Sequence, residues 1–172
     1  MFRKTRKTTL LFIIHIHTLQ PRNSHRMSYS ITVRVYQTNT NTYFHPVERT
    51  VFRNGTWSET NTAYVLHMGA SGTAGSLRFL ADSGESFIVT LGVHNHKPWG
   101  DIVTKLDPAS QTGVVITPEY YEAEWGGTQN KERVDVRWKT LSSYEVTRDG
   151  RKYSFNYTVT DGKDLKVNVV VG

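Results

Sequence analysis

The chain has 172 residues, with 21 Lys and Arg against 15 Asp and Glu, and no cysteine. That length suits one domain, or one domain with a tail, able to bury a real core, and the lack of cysteine excludes a disulfide scaffold and thiolate metal sites. The formal charge of +6 would suggest a nucleic acid or an anionic membrane as partner, but six basic residues, Arg3, Lys4, Arg6, Lys7, Arg22 and Arg26, lie in a first segment without acids. Residues 27–172 keep 15 residues of each sign, so the body of the chain makes no electrostatic case for nucleic acid.

Residues 1–26 have a basic start and an apolar stretch from Leu10 to Ile16, the outline of a secretory signal. His15 and His17 interrupt that stretch and Arg22 and Arg26 follow it. No small-x-small cleavage site follows, and the stretch is too short to span a bilayer. The segment reads as an extension outside the fold, ahead of a domain over 27–172. The protein reads as cytoplasmic, with secretion the weaker alternative.

From Tyr29 onward the rhythm is two: Ile31, Val33 and Val35 alternate with Thr32, Arg34 and Tyr36, the pattern of a half-buried strand. Similar runs follow at Tyr64–His67, Leu77–Leu80, Phe87–Val93, Val114–Thr117, Tyr144–Thr147, Tyr153–Val159 and Leu165–Val171. Asp149-Gly150, flanked by Arg148 and Arg151, has the positive-φ residues of a two-residue type I′ hairpin, and Asp161-Gly162 begins another tight connection. Helical spacing is confined to Pro98 to Leu106, where Trp99, Ile102, Val103 and Leu106 would share a side. Thr38 to Thr42 and Glu122 to Asn130 read as loops. Many short strands with one helical insert predict a β-sandwich.

Catalytic signatures are scarce. The glycine-rich Gly69 to Gly75 has no following Lys-Ser/Thr, which favours a tight turn over a phosphate cradle, and Ser71 stands in no G-x-S-x-G elbow. His94 and His96 would share a side of a strand, but no third metal ligand is identifiable. Glu122 and Glu124 lie in a Gly-containing loop, and sequence cannot set two carboxyls at the separation a glycosidase needs. Neutral sugars call for aromatic rings and short planar or hydroxyl groups. Ser71-Gly72, His94-Asn95, Trp99, Asp101, Thr104 and Tyr144 supply such groups.

From Ser28 to Gly172 the order of segments resembles the fungal fruit-body lectin family. The resemblance is carried by ITVRVYQTN, FHPVERT, NGTW, YVLHMGASGTAGSLRFL, GESF, GVHNHKPWGDIVTKL, VVITPEYY, LSSYEV, GRKYSFNYTV and DGKDLKVNVVVG. It implies an all-β fold, a sandwich of two sheets with a short helix-loop-helix connection, of the type found in the actinoporins of sea anemones. It further implies a homotetramer with a role in defence that binds glycans of glycoproteins or glycolipids without catalysis, cofactor or metal, and without entering membranes. The runner-up reading, a membrane-active pore former, rests on the shared sandwich alone.

Two sugar sites per subunit are implied. Ser71, Gly72, His94 and Asn95 would take GalNAc or Gal-β1,3-GalNAc (the T-antigen disaccharide). Asp101, Ile102, Thr104, Arg133 and Tyr144 would take GlcNAc, with Arg137 the alternative to Arg133 because Glu122 to Lys131 contains an apparent insertion. The chain departs from the family pattern in a shortened loop before Asn54 and in His96 and Pro98, which replace an aromatic and a basic residue. Titration of His96 near pH 6.5, about the value of an unperturbed histidine, is expected to make first-site binding pH-dependent.

Overall fold

The structure, a computed structural model, describes residues 28–38, 41–107 and 109–172; the N-terminal extension lies outside them. Ten strands run in chain order: β1 (Tyr29–Gln37), β2 (Phe44–Phe52), β3 (Gly55–Thr60), β4 (Ala63–Met68), β5 (Thr73–Ala81), β6 (Ser86–His94), β7 (Lys97–Thr104), β8 (Ser143–Arg148), β9 (Arg151–Val159) and β10 (Asp164–Val171). Two helices, α1 (Gly113–Glu119) and α2 (Lys131–Lys139), fall between β7 and β8. One sheet has the order β3-β4-β1-β10-β9-β8 and the other β2-β5-β6-β7. The helical segment therefore joins the two sheets, as the family resemblance implied. All pairings are antiparallel except β1 with β10.

The alternating residues of β1 behave as their period requires: Ile31 and Val33 are fully buried while Arg34 is exposed. They meet Leu66, Phe155, Val167 and Val169 of their own sheet and Leu77, Phe79, Val89 and Leu91 of the other in one core between the sheets. A second core lies on the outer face of the four-stranded sheet, where Ile88 and Trp99 pack with Ile116, Tyr120 and Tyr121 of the helical segment. All nine residues of β6 are buried. Covered on both faces, that strand reads as an unbroken apolar run rather than an alternation.

Double coverage also explains the helical spacing at Pro98 to Leu106, which folds as the strand β7. Trp99 and Val103 point to the helical layer and Ile102 to the core between the sheets, so apolar residues occur on both sides of a strand and imitate a helical stripe. Val114–Thr117, predicted as a strand, lies in α1. Its first turn has no side-chain cap of its own. Instead Glu48 of β2 accepts hydrogen bonds from the amides of Gly113 at 2.8 Å and Val114 at 3.1 Å, a tertiary cap that satisfies donors a helix start leaves open. Helix α2 has no apolar stripe to reveal it; Asn130 caps it by accepting from the Glu132 amide at 3.1 Å. The strand β3 was missed because it is largely solvent-facing and polar, and β2 because Pro46 and the charged Glu48 and Arg49 interrupt its apolar residues. The type I′ hairpin holds, with Asp149 at φ 52° and Gly150 at φ 80° between the paired Arg148 and Arg151.

Gly92 of β6 lies closely hemmed between β5 and β7: a Cβ there would come within 2.7 Å of Thr73 O, 2.7 Å of Trp99 Nε1 and 2.8 Å of Ala74 Cβ. Gly92→Ala is expected to cost about 1–3 kcal/mol by overpacking and to lower Tm by roughly 2–10 °C in a thermal melt. An unchanged Tm would show that Trp99 and β5 can move aside.

Candidate sugar-binding cleft

Ser71 and Gly72 form the turn between β4 and β5, while His94 ends β6 and Asn95 opens the hairpin into β7. Two bonds hold these turns together: the Gly72 amide donates to Val93 O at 2.7 Å, and the His96 amide donates to Ser71 Oγ at 3.1 Å. Gly72 has φ 91°, and Asn95 and His96 have φ 49° and 63°, the left-handed conformations such tight turns need. All four residues proposed for the first site line one cleft of about 570 Å³.

The far side of that cleft is helical. Trp125 of a single 3-10 turn at Ala123–Trp125 lines it, as do Glu122, Arg137 and Trp138. Phe52 and Tyr121 stack in it at 3.7 Å between ring centroids and 14° between planes. Arg137 is only 4% exposed. Its Nη2 donates to both Glu122 carboxylate oxygens, at 2.8 and 2.7 Å, and its guanidinium lies 4.7 Å from the Tyr121 ring centroid. Trp138 Nε1 donates to the same carboxylate at 3.2 Å, and its ring meets His94 edge-on at 4.3 Å. His94 Nε2, Tyr121 Oη and Arg137 Nε are buried without a protein partner. Such atoms are costly unless something accepts or donates to them.

As part of this cleft these residues went unrecognised in the sequence, where Glu122 to Asn130 reads as a loop and Arg137 was considered only for the second site; the tryptophan within the loop was the available signal. Glu122, considered as half of an acid and base pair, is engaged by Arg137 and Trp138. Trp99, considered as a sugar platform, is fully buried against Tyr120 at 5.1 Å, because β7 is covered by the helical layer. His96 does not line the cleft. Its Nδ1 lies 2.7 Å from Tyr29 Oη, which places His94, not His96, as the imidazole at the cleft. Among the described residues no group of three or more His, Asp or Glu side chains is placed to hold a metal.

The second set of residues is partly assembled. Asp101 Oδ2 accepts from Tyr120 Oη at 2.7 Å and Oδ1 from the Ile102 amide at 2.8 Å. Arg133 Nη1 stands 3.7 Å from Asp101 Oδ2 and its Nε pairs with Glu119. Of the two arginines, Arg133 stands with Asp101 and Arg137 lines the other cleft. Burial raises the Asp101 carboxyl above the usual range, against the opposing effects of Tyr120 and Arg133. The Ile102 side chain is in the core between the sheets, so it can offer a ligand only its backbone. Thr104 lines a separate depression of about 210 Å³ with Lys105, Arg148 and Asp149. Tyr144 is exposed on β8, the strand beside β7 where the sheet edges meet. A more open depression of about 740 Å³, bounded by Tyr29, His67 and Asp164, contains none of the proposed residues.

A family model described as fungal fruit body lectin matches residues 27–169. The chain belongs to that family. It is 45% identical over 149 residues to the Boletus edulis lectin, covering 84% of this chain and 99% of that protein. It is 48% identical to the crystal structure of the wild-type Xerocomus chrysenteron lectin, with a TM-score of 0.77 over 85% of this chain and 100% of that one. The lipid binding protein Nakanori shares the fold at 11% identity and a TM-score of 0.57, over 84% of this chain and 71% of that one. The chain is thus a carbohydrate-binding lectin by family, on an actinoporin-like sandwich.

His94 is 8% exposed, and burial holds its imidazole below the usual value, helped by the Arg137 guanidinium and opposed by Glu122. With the folded value depressed, the stability contributed is complete above about pH 6.5, the ordinary histidine value, and is lost as pH falls through the folded value. Wild type should therefore lose Tm between about pH 7 and 5 more steeply than His94→Gln. Parallel calorimetric curves would show that His94 is not the titrating group.

Proposed function

We propose that the protein binds glycans, without catalysis, at two separate places. The cleft holding Ser71, Gly72, His94 and Asn95 takes GalNAc or Gal-β1,3-GalNAc. The region of Asp101, the Ile102 backbone, Thr104, Arg133 and Tyr144 takes GlcNAc-terminated glycans. The observation that carries this reading is the convergence of four residues from two different turns on one cleft. A backbone turn beside an amide side chain can register an axial hydroxyl, and an aromatic wall can cover the apolar face of a pyranose. At the second place Tyr120 donates to the Asp101 carboxylate at 2.7 Å and the Arg133 guanidinium stands 3.7 Å from it, so equatorial hydroxyls and an acetamido group would meet donors and acceptors held in position.

The assembly is taken to be a homotetramer acting in defence, a reading that rests on family membership, and its placement in the cytoplasm rests on residues 1–26, where His15 and His17 interrupt the apolar stretch. The exposed apolar residues Val114 and Val115 on α1 and Tyr43 and Val47 near β2 are surfaces it could cover. Sedimentation equilibrium tests it: a monomer at micromolar concentration would overturn it. The membrane-active alternative draws on fold likeness alone, and fold does not determine function.

A glycan array on the full chain, followed by titration of Asn95→Ala and Asp101→Asn, tests the two-site reading. Asn95→Ala is expected to weaken GalNAc binding at least about tenfold and Asp101→Asn to weaken GlcNAc binding as much, each leaving the other sugar unaffected. A folded wild-type protein that bound no glycan, or variants that lost both sugars together, would refute it.

A further inference from the structure

The cleft extends beyond what Ser71, Gly72, His94 and Asn95 account for. Trp125 and Trp138 also line it and remain 55% and 54% exposed, although burying an indole is among the largest apolar gains open to a chain. The other two tryptophans are used in packing: Trp99 is fully buried, and Trp57 packs against the main core with its Nε1 donating to Thr50 O at 2.9 Å. Trp138 is engaged by Glu122 and His94. Among the described residues, the Trp125 side chain makes no hydrogen bond or ring stacking interaction.

Trp125 is nevertheless held in place. Its own amide donates to Glu122 O at 3.0 Å, and after it the Gly127 amide donates to Glu122 O at 3.0 Å and the Gln129 amide to Tyr121 O at 3.1 Å. A Cβ on Gly127 would lie 2.0 Å from Tyr121 O, so this backbone is docked too closely to admit a side chain there. Gly126, in the left-handed conformation at φ 80°, ends the turn. The result is an indole more than half exposed, on an anchored segment, in the same cleft as the proposed sugar residues. A cavity of about 570 Å³ falls within the roughly 300–1,000 Å³ of sites that take drug-sized ligands, which is room for linked rings.

We propose that Trp125 is an outer subsite: its indole takes the apolar face of the sugar joined to the one seated against Ser71, Gly72 and Asn95, and so makes the cleft select a linked pair over a single ring. This rests on the glycan reading of the cleft. The CH groups on one face of a pyranose and the face of an indole bury area against each other. Because the backbone that carries the indole is already anchored, only side-chain freedom is lost on contact.

Calorimetric titration of the full chain with GalNAc and with Gal-β1,3-GalNAc, in wild type, Trp125→Ala and Trp125→Tyr, tests the proposal. Wild type is expected to prefer the disaccharide. Trp125→Ala should lower disaccharide affinity about three- to tenfold and GalNAc affinity under about twofold, and Trp125→Tyr should retain most of the preference. Equal losses for both sugars, or no loss for either, with wild type binding intact, would overturn the outer subsite and leave the glycan reading standing. Wild type binding neither sugar would overturn the glycan reading, and the subsite with it.

Discussion

The burial of β6 on both faces is the constraint from which the rest of the structure follows. One face of the strand closes the core between the sheets through Val89, Leu91 and Val93, and the other carries Ile88 and the hydroxyl of Thr90 beneath the helical segment. A sheet with an apolar outer face must be covered. The chain from Gly113 to Lys139 does this before it crosses to the second sheet. Four of the hydroxyls trapped there are linked: Ser76 Oγ lies 2.8 Å from Thr90 Oγ1 and 2.7 Å from Thr117 Oγ1, which is 2.8 Å from Thr50 Oγ1. Hydroxyls that would be costly alone become a link between sheet and helix.

The same cover makes the cleft. Where the helical layer meets the turns at the end of the four-stranded sheet, Arg137 is buried and paired through Nη2 with Glu122. An ion pair of this kind adds little net stability when made, but it is expensive to break, because removing one partner strands a buried charge. Its effect here is positional. Glu122 binds Arg137 and Trp138 together, Trp138 lies on His94, and His94 ends the strand whose next residue is Asn95. The electrostatics of the helical layer are thereby tied to the turns proposed to hold sugar.

The two proposed sugar regions differ in how fully they are built. The first draws its residues from two turns connected by backbone bonds, so its geometry follows from the hairpins themselves. The second places Asp101 and Arg133 together across strand and helix, with Tyr120 and Glu119 fixing both side chains, while Thr104 and Tyr144 stand on neighbouring edges. Binding surfaces placed on turns and on a helical connection leave the sheets free to be conserved in shape by packing alone, which is how one sandwich can serve unrelated tasks.

The period-two runs other than Val114–Thr117 and the Asp149-Gly150 turn were legible in the sequence because alternation and positive φ are local properties. The order of short motifs was enough to identify the fold type, and the four residues it singled out for the first site, Ser71, Gly72, His94 and Asn95, line one cleft. What the sequence could not determine follows from coverage and long-range pairing. Lys97–Thr104 imitates a helix because both its faces are buried, and Gly113–Glu119 becomes a helix because Glu48, 65 residues away, caps it. The choice of Arg133 over Arg137 beside Asp101, and the presence of Trp125 and Trp138 in the cleft with His94, were decided only when the helical layer settled on the sheet. Contacts between residues far apart in the chain leave no periodic trace in it.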